Sequence, residues 1–150
     1  MNILFVCTGN TCRSCMAEVI FNEISDIKEV TAYSAGISVV PGSKTSSNTA
    51  DLIKTNFNLD ISNRVAKQLV PDDLKKNDLI LTMTKYMEEL LKNAFPEQSH
   101  KIYSLNSLVG IEYDISDPFG GNIQVYQNTF HSLKKSIELL INKLKEDSGN

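Results

Sequence analysis

The sequence predicts an α/β fold in which helices cover both faces of a parallel sheet. Short apolar, β-favouring runs alternate with segments of helical periodicity along the whole chain. Each such alternation implies a right-handed crossover between parallel strands. The 150 residues, 41% hydrophobic and 22% charged, suit a single soluble domain spanning 1–150, because a chain of this size buries about 70% of its unfolded surface.

The predicted elements follow in order from these patterns. Strands are expected at 2–6, 30–35, 78–83 and 101–104, where apolar runs fit strands covered on both faces. Helices are expected at 14–27, 45–57, 86–94 and 125–145, with a short one after Pro71 that has Asp72 and Asp73 in its first turn. Residues 146–150 are expected to fray.

The loop after the first strand has the composition of a phosphate site. It reads Cys7-Thr8-Gly9-Asn10-Thr11-Cys12-Arg13-Ser14 and occupies the carboxyl end of a strand, where ligands bind in such sheets. The backbone N–H groups of a tight loop leading into a helix favour an anion. Cys7 would lie among these donors as a thiolate nucleophile, and the planar fork of Arg13 would hold two phosphoryl oxygens.

Other interpretations of the cysteines lose support from the rest of the sequence. Cysteine after a strand is often only a small buried hydrophobe, but Cys7 precedes a glycine turn and an arginine in a chain whose only arginines are Arg13 and Arg64. The spacing of Cys7, Cys12 and Cys15 matches part of an iron–sulfur pattern, yet the sequence holds no fourth cysteine. Neither G-x-G-x-x-G nor G-x-x-x-x-G-K-[ST] occurs, so a dinucleotide or nucleotide loop is disfavoured.

A second candidate segment is Asp117-Pro118-Phe119-Gly120-Gly121. Hydrolysis of a phosphoester or phosphoramidate needs a proton donor for the leaving atom and later a base for water, and Asp117 could serve as both. Phe119 could form a wall of the cleft and exclude water. The simpler interpretation, an Asp-Pro pair that only starts a turn, stays open at this point.

Taken together, the sequence resembles the low-molecular-weight protein tyrosine phosphatases, most closely their bacterial protein-arginine phosphatase branch. The segments that carry this resemblance are 6–14, 16–18, 34–36, 78–84 and 117–121. The resemblance implies a flavodoxin-like three-layer sandwich with a four-stranded parallel sheet, and it implies neither a metal nor another cofactor. It also implies catalytic Cys7, Arg13 and Asp117, with the substrate bound by Thr8, Gly9, Asn10, Thr11, Cys12, Ser14 and Phe119.

Two residues bear on the substrate. Tyrosine-specific members of the family usually have a branched aliphatic residue where this chain has Thr11 and a tyrosine where it has Phe119. The resemblance therefore favours phosphoarginine, with phosphotyrosine as the alternative. Thr11 also has a structural interpretation, in which its hydroxyl forms hydrogen bonds with the backbone of its own loop.

The two other cysteines carry separate expectations. Cys15 stands where the family usually has proline, and the loss of proline is expected to loosen the start of the helix slightly. Cys12 is expected either to form a reversible disulfide with Cys7 or to pack beneath the loop.

Several other functions are disfavoured by composition. A net charge of −3 with scattered lysines gives no attraction toward nucleic acid, and no apolar run is long enough for a membrane span. The N-terminus has no export pattern, so we expect a cytoplasmic monomer that acts on phosphorylated protein substrates. An arsenate reductase would need further cysteines after Cys15, and a phosphoprotein-binding module would need neither Cys7 nor Asp117.

Overall fold

The computed structural model describes residues 1–147. Its four strands are β1 (Asn2–Cys7), β2 (Thr31–Gly36), β3 (Leu79–Thr82) and β4 (Ile102–Ser104). Its helices are α1 (Arg13–Ile24), α2 (Ser47–Phe57), α3 (Pro71–Lys76), α4 (Lys85–Ala94), α5 (Leu105–Val109) and α6 (Ile123–Asp147), with a 3-10 helix at Pro96–Lys101. None of these helices is long and apolar enough to cross a membrane.

The strands form one parallel sheet in the order β2-β1-β3-β4. The chain leaves β1 toward β2 on one side and then crosses to β3 on the other. The carboxyl end of β1 is therefore the topological switch point, the place where open α/β sheets bind ligands. Cys7 is the last residue of β1 and pairs with Gly36 of β2. The predicted four-stranded parallel sheet is confirmed.

Alternating residues of β1 build the cores on the two faces of the sheet. Ile3 and Phe5 belong to the larger core, which includes residues of α1 and α6, whereas Leu4 and Val6 belong to the smaller one beside α3 and α4. Side chains of a strand alternate between faces, so an apolar residue at every position is required where helices cover both. This is why β1 is a continuous apolar run.

The structure corrects the predicted elements in a few places. It adds α5 and the 3-10 helix, which are five and six residues long and too short to produce a helical apolar period. Helix α1 ends at Ile24 instead of residue 27, and α6 continues to Asp147. Fraying from Glu146 was therefore wrong for residues 146 and 147, and residues 148–150 lie outside the described part of the chain.

Candidate active site

The loop between β1 and α1 surrounds the sulfur of Cys7 with hydrogen-bond donors. The backbone N–H of Asn10 donates to Cys7 Sγ at 3.2 Å, and Ser14 Oγ lies 2.8 Å from the same sulfur. Asn10 has φ of 58°, in the left-handed region that asparagine tolerates better than most residues. This turn points a backbone N–H at the sulfur.

The side chain of Asn10 holds the loop from inside. It is fully buried, and its Nδ2 donates to Ser14 Oγ at 2.8 Å and to Ser34 Oγ at 3.0 Å. Its Oδ1 accepts the backbone N–H of Lys67 at 2.9 Å. Because Ser14 Oγ already accepts from Asn10, its own hydrogen is free to point at Cys7 Sγ.

Sequence reasoning missed the outer part of this network. Arg64 donates to Ser34 Oγ at 2.7 Å, forms an ion pair with Glu18 at 3.4 Å, and reaches the carbonyl oxygen of Asn10 at 3.3 Å. Ser34 Oγ in turn donates to Glu18 Oε1 at 2.7 Å. The one available signal was composition, because Arg64 is one of only two arginines in the chain.

Gly36 allows β2 to approach the loop closely. A Cβ at this position would lie 2.7 Å from the carbonyl oxygen of Thr8 and 3.1 Å from the backbone nitrogen of Asn10. Both neighbours are backbone atoms of the loop itself, which could not move aside without reshaping it. The loop therefore requires glycine at the end of β2.

Arg13 and Asp117 meet although 104 positions separate them in sequence. Arg13 is buried, its Nη1 donates to the carbonyl oxygen of Ile115 at 3.1 Å, and its Nη2 lies 3.5 Å from Asp117 Oδ2. The other carboxylate oxygen of Asp117 accepts the backbone N–H of Phe119 at 3.1 Å. Asp117 therefore both starts a turn and places a carboxylate oxygen beside Arg13.

A cavity of about 450 Å³ opens over the loop, and nine of the ten predicted site residues line it together with three that sequence reasoning did not select. The nine are Cys7, Thr8, Gly9, Asn10, Thr11, Cys12, Arg13, Asp117 and Phe119, and the additional ones are Val40, Ser43 and Lys44. Ser14 lies beneath the loop and does not line the cavity. Phe119 is 83% exposed, so it stands at the rim and does not cover the opening.

The other two cysteines lie in different surroundings. Cys12 is buried with its sulfur 3.4 Å from Ser46 Oγ and 3.6 Å from the hydroxyl of Tyr126. Burial, and then the hydrogen bond with Cys12, raises the pKa of Tyr126 to about 12, so this hydroxyl keeps its proton. Cys15 lies in the core near Thr45, and burial raises the pKa of its thiol to about 11.

Comparison with known proteins identifies the family. The family profile described as low molecular weight phosphotyrosine protein phosphatase matches residues 2–150. The chain belongs to this family. A protein-arginine-phosphatase of Bacillus subtilis is 35% identical over 151 residues, which cover 98% of this chain and 99% of the relative. A low molecular weight protein-tyrosine-phosphatase, PtpB of Staphylococcus haemolyticus, is 40% identical over 148 residues, which cover 99% of this chain and 100% of the relative.

Solved structures of the phosphatase family share the fold. The low molecular weight protein tyrosine phosphatase from T. tengcongensis superposes with a TM-score of 0.90 at 42% identity. The superposition covers 95% of this chain and 99% of the T. tengcongensis chain. The YwlE arginine phosphatase carrying a C7S substitution and a phosphorylated active-site serine gives a TM-score of 0.88 at 33% identity. The superposition covers 98% of this chain and 97% of the YwlE chain. Tyrosine and arginine phosphatases thus both occur among the relatives of this phosphatase.

Proposed function

We propose that this phosphatase hydrolyses phosphoarginine in proteins through a phosphocysteine intermediate. The observation that carries the proposal is the position of Asp117, whose carboxylate lines the same cavity as Cys7 and lies 3.5 Å from Arg13. Its side chain is 54% exposed, so a substrate can reach it. A nucleophile, an anion-binding fork and a proton donor are the groups that phosphoryl transfer to a cysteine requires.

In the first step, the Cys7 thiolate attacks phosphorus while the bond from phosphorus to the arginine nitrogen breaks. The carboxyl group of Asp117 gives its proton to that leaving nitrogen. Arg13 and the backbone N–H groups of the loop hold the phosphoryl oxygens, on which negative charge must be stabilised. Support comes from the YwlE arginine phosphatase, where the serine of the C7S variant is phosphorylated.

In the second step, water attacks the phosphorus of the phosphocysteine. The Asp117 carboxylate takes a proton from the water, the sulfur–phosphorus bond breaks, and inorganic phosphate leaves. The hydroxyl of Ser14, 2.8 Å from the sulfur, stabilises the departing thiolate. Both steps use only side chains of one chain and water, so the proposal needs neither a cofactor nor a second copy. It places the enzyme in the cytoplasm, where thiols remain reduced.

The choice of phosphoarginine depends on Asp117 and Thr11. Among the described residues that line the cavity, Asp117 bears the only carboxylate. A guanidinium group offers N–H donors beside its leaving nitrogen and so matches both oxygens of a carboxyl group, whereas a phenol has a single oxygen. Thr11 lines the same cavity, and within residues 1–147 its hydroxyl has one weak contact, 3.7 Å to Cys12 Sγ. That hydroxyl remains able to bind a guanidinium or the attacking water.

Paired peptides test the proposal directly. One sequence is made with phosphoarginine and again with phosphotyrosine, and phosphate release gives kcat/KM for each. We expect phosphoarginine to be preferred by at least about tenfold, equivalent to about 1.4 kcal/mol in the barrier. A clear preference for phosphotyrosine would show that the enzyme is a tyrosine phosphatase, the activity for which PtpB of S. haemolyticus is named.

Two variants at Thr11 separate the hydroxyl from the volume. Thr11→Val removes the hydroxyl at nearly constant shape, and Thr11→Ile adds a further methylene. If the hydroxyl selects the substrate, both variants lose their preference for phosphoarginine, whereas a purely steric role affects only the isoleucine variant. Cys7→Ser should abolish hydrolysis while the variant still binds the phosphopeptide, and hydrolysis that persists would disprove the nucleophile.

A further inference from the structure

One wall of the active-site cavity is formed by a segment that the catalytic steps do not use. Val40, Ser43 and Lys44 line the cavity beside the loop that starts at Cys7. They belong to the connection between β2 and α2, far in sequence from both the cysteine loop and Asp117. The chemistry described above gives no role to Ser43 or Lys44.

This wall is a rigid turn. Pro41 and Gly42 occupy its two central positions, with Gly42 at φ of 79°, and the N–H of Ser43 donates to the carbonyl oxygen of Val40 at 3.0 Å. A proline followed by a glycine of positive φ is the pattern of a type II turn. The carbonyl oxygen of Ser43 accepts the N–H of Ala66 at 2.8 Å, which ties the turn to the neighbouring segment.

Both side chains have unused binding capacity. Ser43 Oγ is the one buried side-chain oxygen or nitrogen within residues 1–147 that has no hydrogen-bond partner. Buried polar groups are nearly always paired, so this orphaned hydroxyl points to a ligand. Lys44 is exposed, and over the same described range its ammonium group forms neither a hydrogen bond nor an ion pair.

The charges around the cavity define the ligand. Arg13 is engaged by the carbonyl oxygen of Ile115 and by Asp117, which leaves Lys44 as the unpaired cation among the described lining residues. Ser43, whose buried hydroxyl has no partner within residues 1–147, lines this same cavity. A donor hydroxyl beside an ammonium group fits a carboxylate.

We propose that Ser43 and Lys44 form a subsite for an acidic side chain next to the phosphorylated residue of a protein substrate. The phosphoryl group occupies the Cys7 loop, and an aspartate or glutamate of the same peptide reaches the turn that carries Lys44. The subsite adds a preference for acidic sequences to the proposed phosphoarginine activity, on which it rests. Since the turn is fixed before binding, little ordering is required when the carboxylate arrives.

The test compares two phosphoarginine peptides that differ only in having glutamate or glutamine beside the phosphorylated residue. We expect the wild-type enzyme to prefer the acidic peptide in kcat/KM by about two- to fivefold, the size of one ion pair at an exposed rim. Lys44→Gln should bring that ratio to about one, Lys44→Glu should invert it, and added salt should lower it in the wild type. Ser43→Ala should lower the ratio in part.

The matched control is Lys28→Gln, which removes the same charge from an exposed lysine that does not line the cavity and should keep the wild-type ratio. The proposal is wrong if the wild type shows no preference, if Lys44→Gln retains it, or if the Lys28 variant loses it equally. If Ser43→Ala leaves the ratio of kcat/KM for the two peptides unchanged, the hydroxyl of Ser43 does not contribute to the subsite. If neither phosphoarginine peptide is hydrolysed, the proposed function fails, and the same acidic and neutral pair with phosphotyrosine still tests the subsite.

Discussion

Replacement of Asn10 is the sharpest test of how the cysteine loop is held. Its side chain is fully buried and makes three hydrogen bonds, to Ser14, to Ser34 and from the N–H of Lys67. Each such bond contributes about 1 kcal/mol, so a residue without them loses about 3 kcal/mol. Alanine also pays about 1–2 kcal/mol in the left-handed region, where Asn10 has φ of 58°.

Asn10→Ala should therefore lower the free energy of unfolding by about 4–5 kcal/mol, a large part of the roughly 5–15 kcal/mol typical of a domain. Asn10→Gly loses the same three bonds but adopts the backbone conformation without strain. Allowing for the chain entropy of glycine, we expect it to be more stable than the alanine variant by on the order of 1 kcal/mol. Urea unfolding followed by circular dichroism measures both differences.

Asn10→Asp tests whether the orientation of the Ser14 hydroxyl matters independently of the shape of the cysteine loop. Aspartate keeps the acceptor for the N–H of Lys67 but replaces the amide donor that faces Ser14 with a second oxygen. The hydroxyl of Ser14 then donates to this carboxylate instead of to Cys7 Sγ, and a negative charge lies near the thiolate. We expect kcat to fall by about tenfold or more while the stability loss stays below that of the alanine variant.

These results can refute the reasoning at two separate points. An alanine variant within about 1 kcal/mol of the wild type would show that the buried bonds of Asn10 do not hold the loop. Wild-type kcat in the aspartate variant would show that the orientation of the Ser14 hydroxyl is irrelevant to the thiolate. Near-ultraviolet circular dichroism of each variant should confirm native packing before the kinetics are compared.

Three further predictions concern residues outside the loop. Ser43→Ala should leave the unfolding free energy unchanged or raise it, because the buried hydroxyl it removes has no partner in the free enzyme; a loss above about 1 kcal/mol in urea unfolding would contradict this. Cys15 should resist iodoacetamide at neutral pH in the folded protein and react once the chain is unfolded, as mass spectrometry can show, because burial raises its thiol pKa to about 11. Burial opposes ionisation of Asp73, but the N–H of Val70 and the charge of Lys67 outweigh it and hold the pKa of this carboxyl below its ordinary value. The stability from Asp73 is therefore complete above about pH 4 and lost as the pH falls below it, so Asp73→Asn should flatten the acid side of a plot of unfolding free energy against pH.

The part of the site that sequence could predict is the part that is local. Cys7, Arg13 and Ser14 lie within one eight-residue segment, and the apolar run before it indicates a strand buried on both faces. The loop and its nucleophile could be predicted from the local context, a strand before the loop, a glycine turn within it and a helix after it, because every group involved lies within eight residues. Asp117 lies in a distant segment, and it was predicted as a candidate proton donor because the turn at 117–121 could hold a carboxyl group near the cysteine loop.

The rest could not be predicted, because it depends on which distant segments the sheet brings together. Ser34 and Arg64 reach Asn10 from 24 and 54 positions away, through the pairing of β2 with β1 and a loop that crosses their ends. Lys44 has no pattern in the sequence to mark it, and the role proposed for it depends on its lining the same cavity as Cys7. Short helices such as α5 also leave no period to detect.

Thr11, on which we propose that substrate choice depends, is itself positioned by a distant segment. The carbonyl oxygen of Thr11 accepts the N–H of Ser46 at 3.1 Å, and the thiol of Cys12 donates to Ser46 Oγ at 3.4 Å. Ser46 is the N-cap of α2 and lies two residues after Lys44. A shift of this segment would therefore move Thr11 and the proposed acidic subsite together. The proposed selection for the leaving group and the proposed selection for the flanking sequence thus depend on one connection, the segment between β2 and α2.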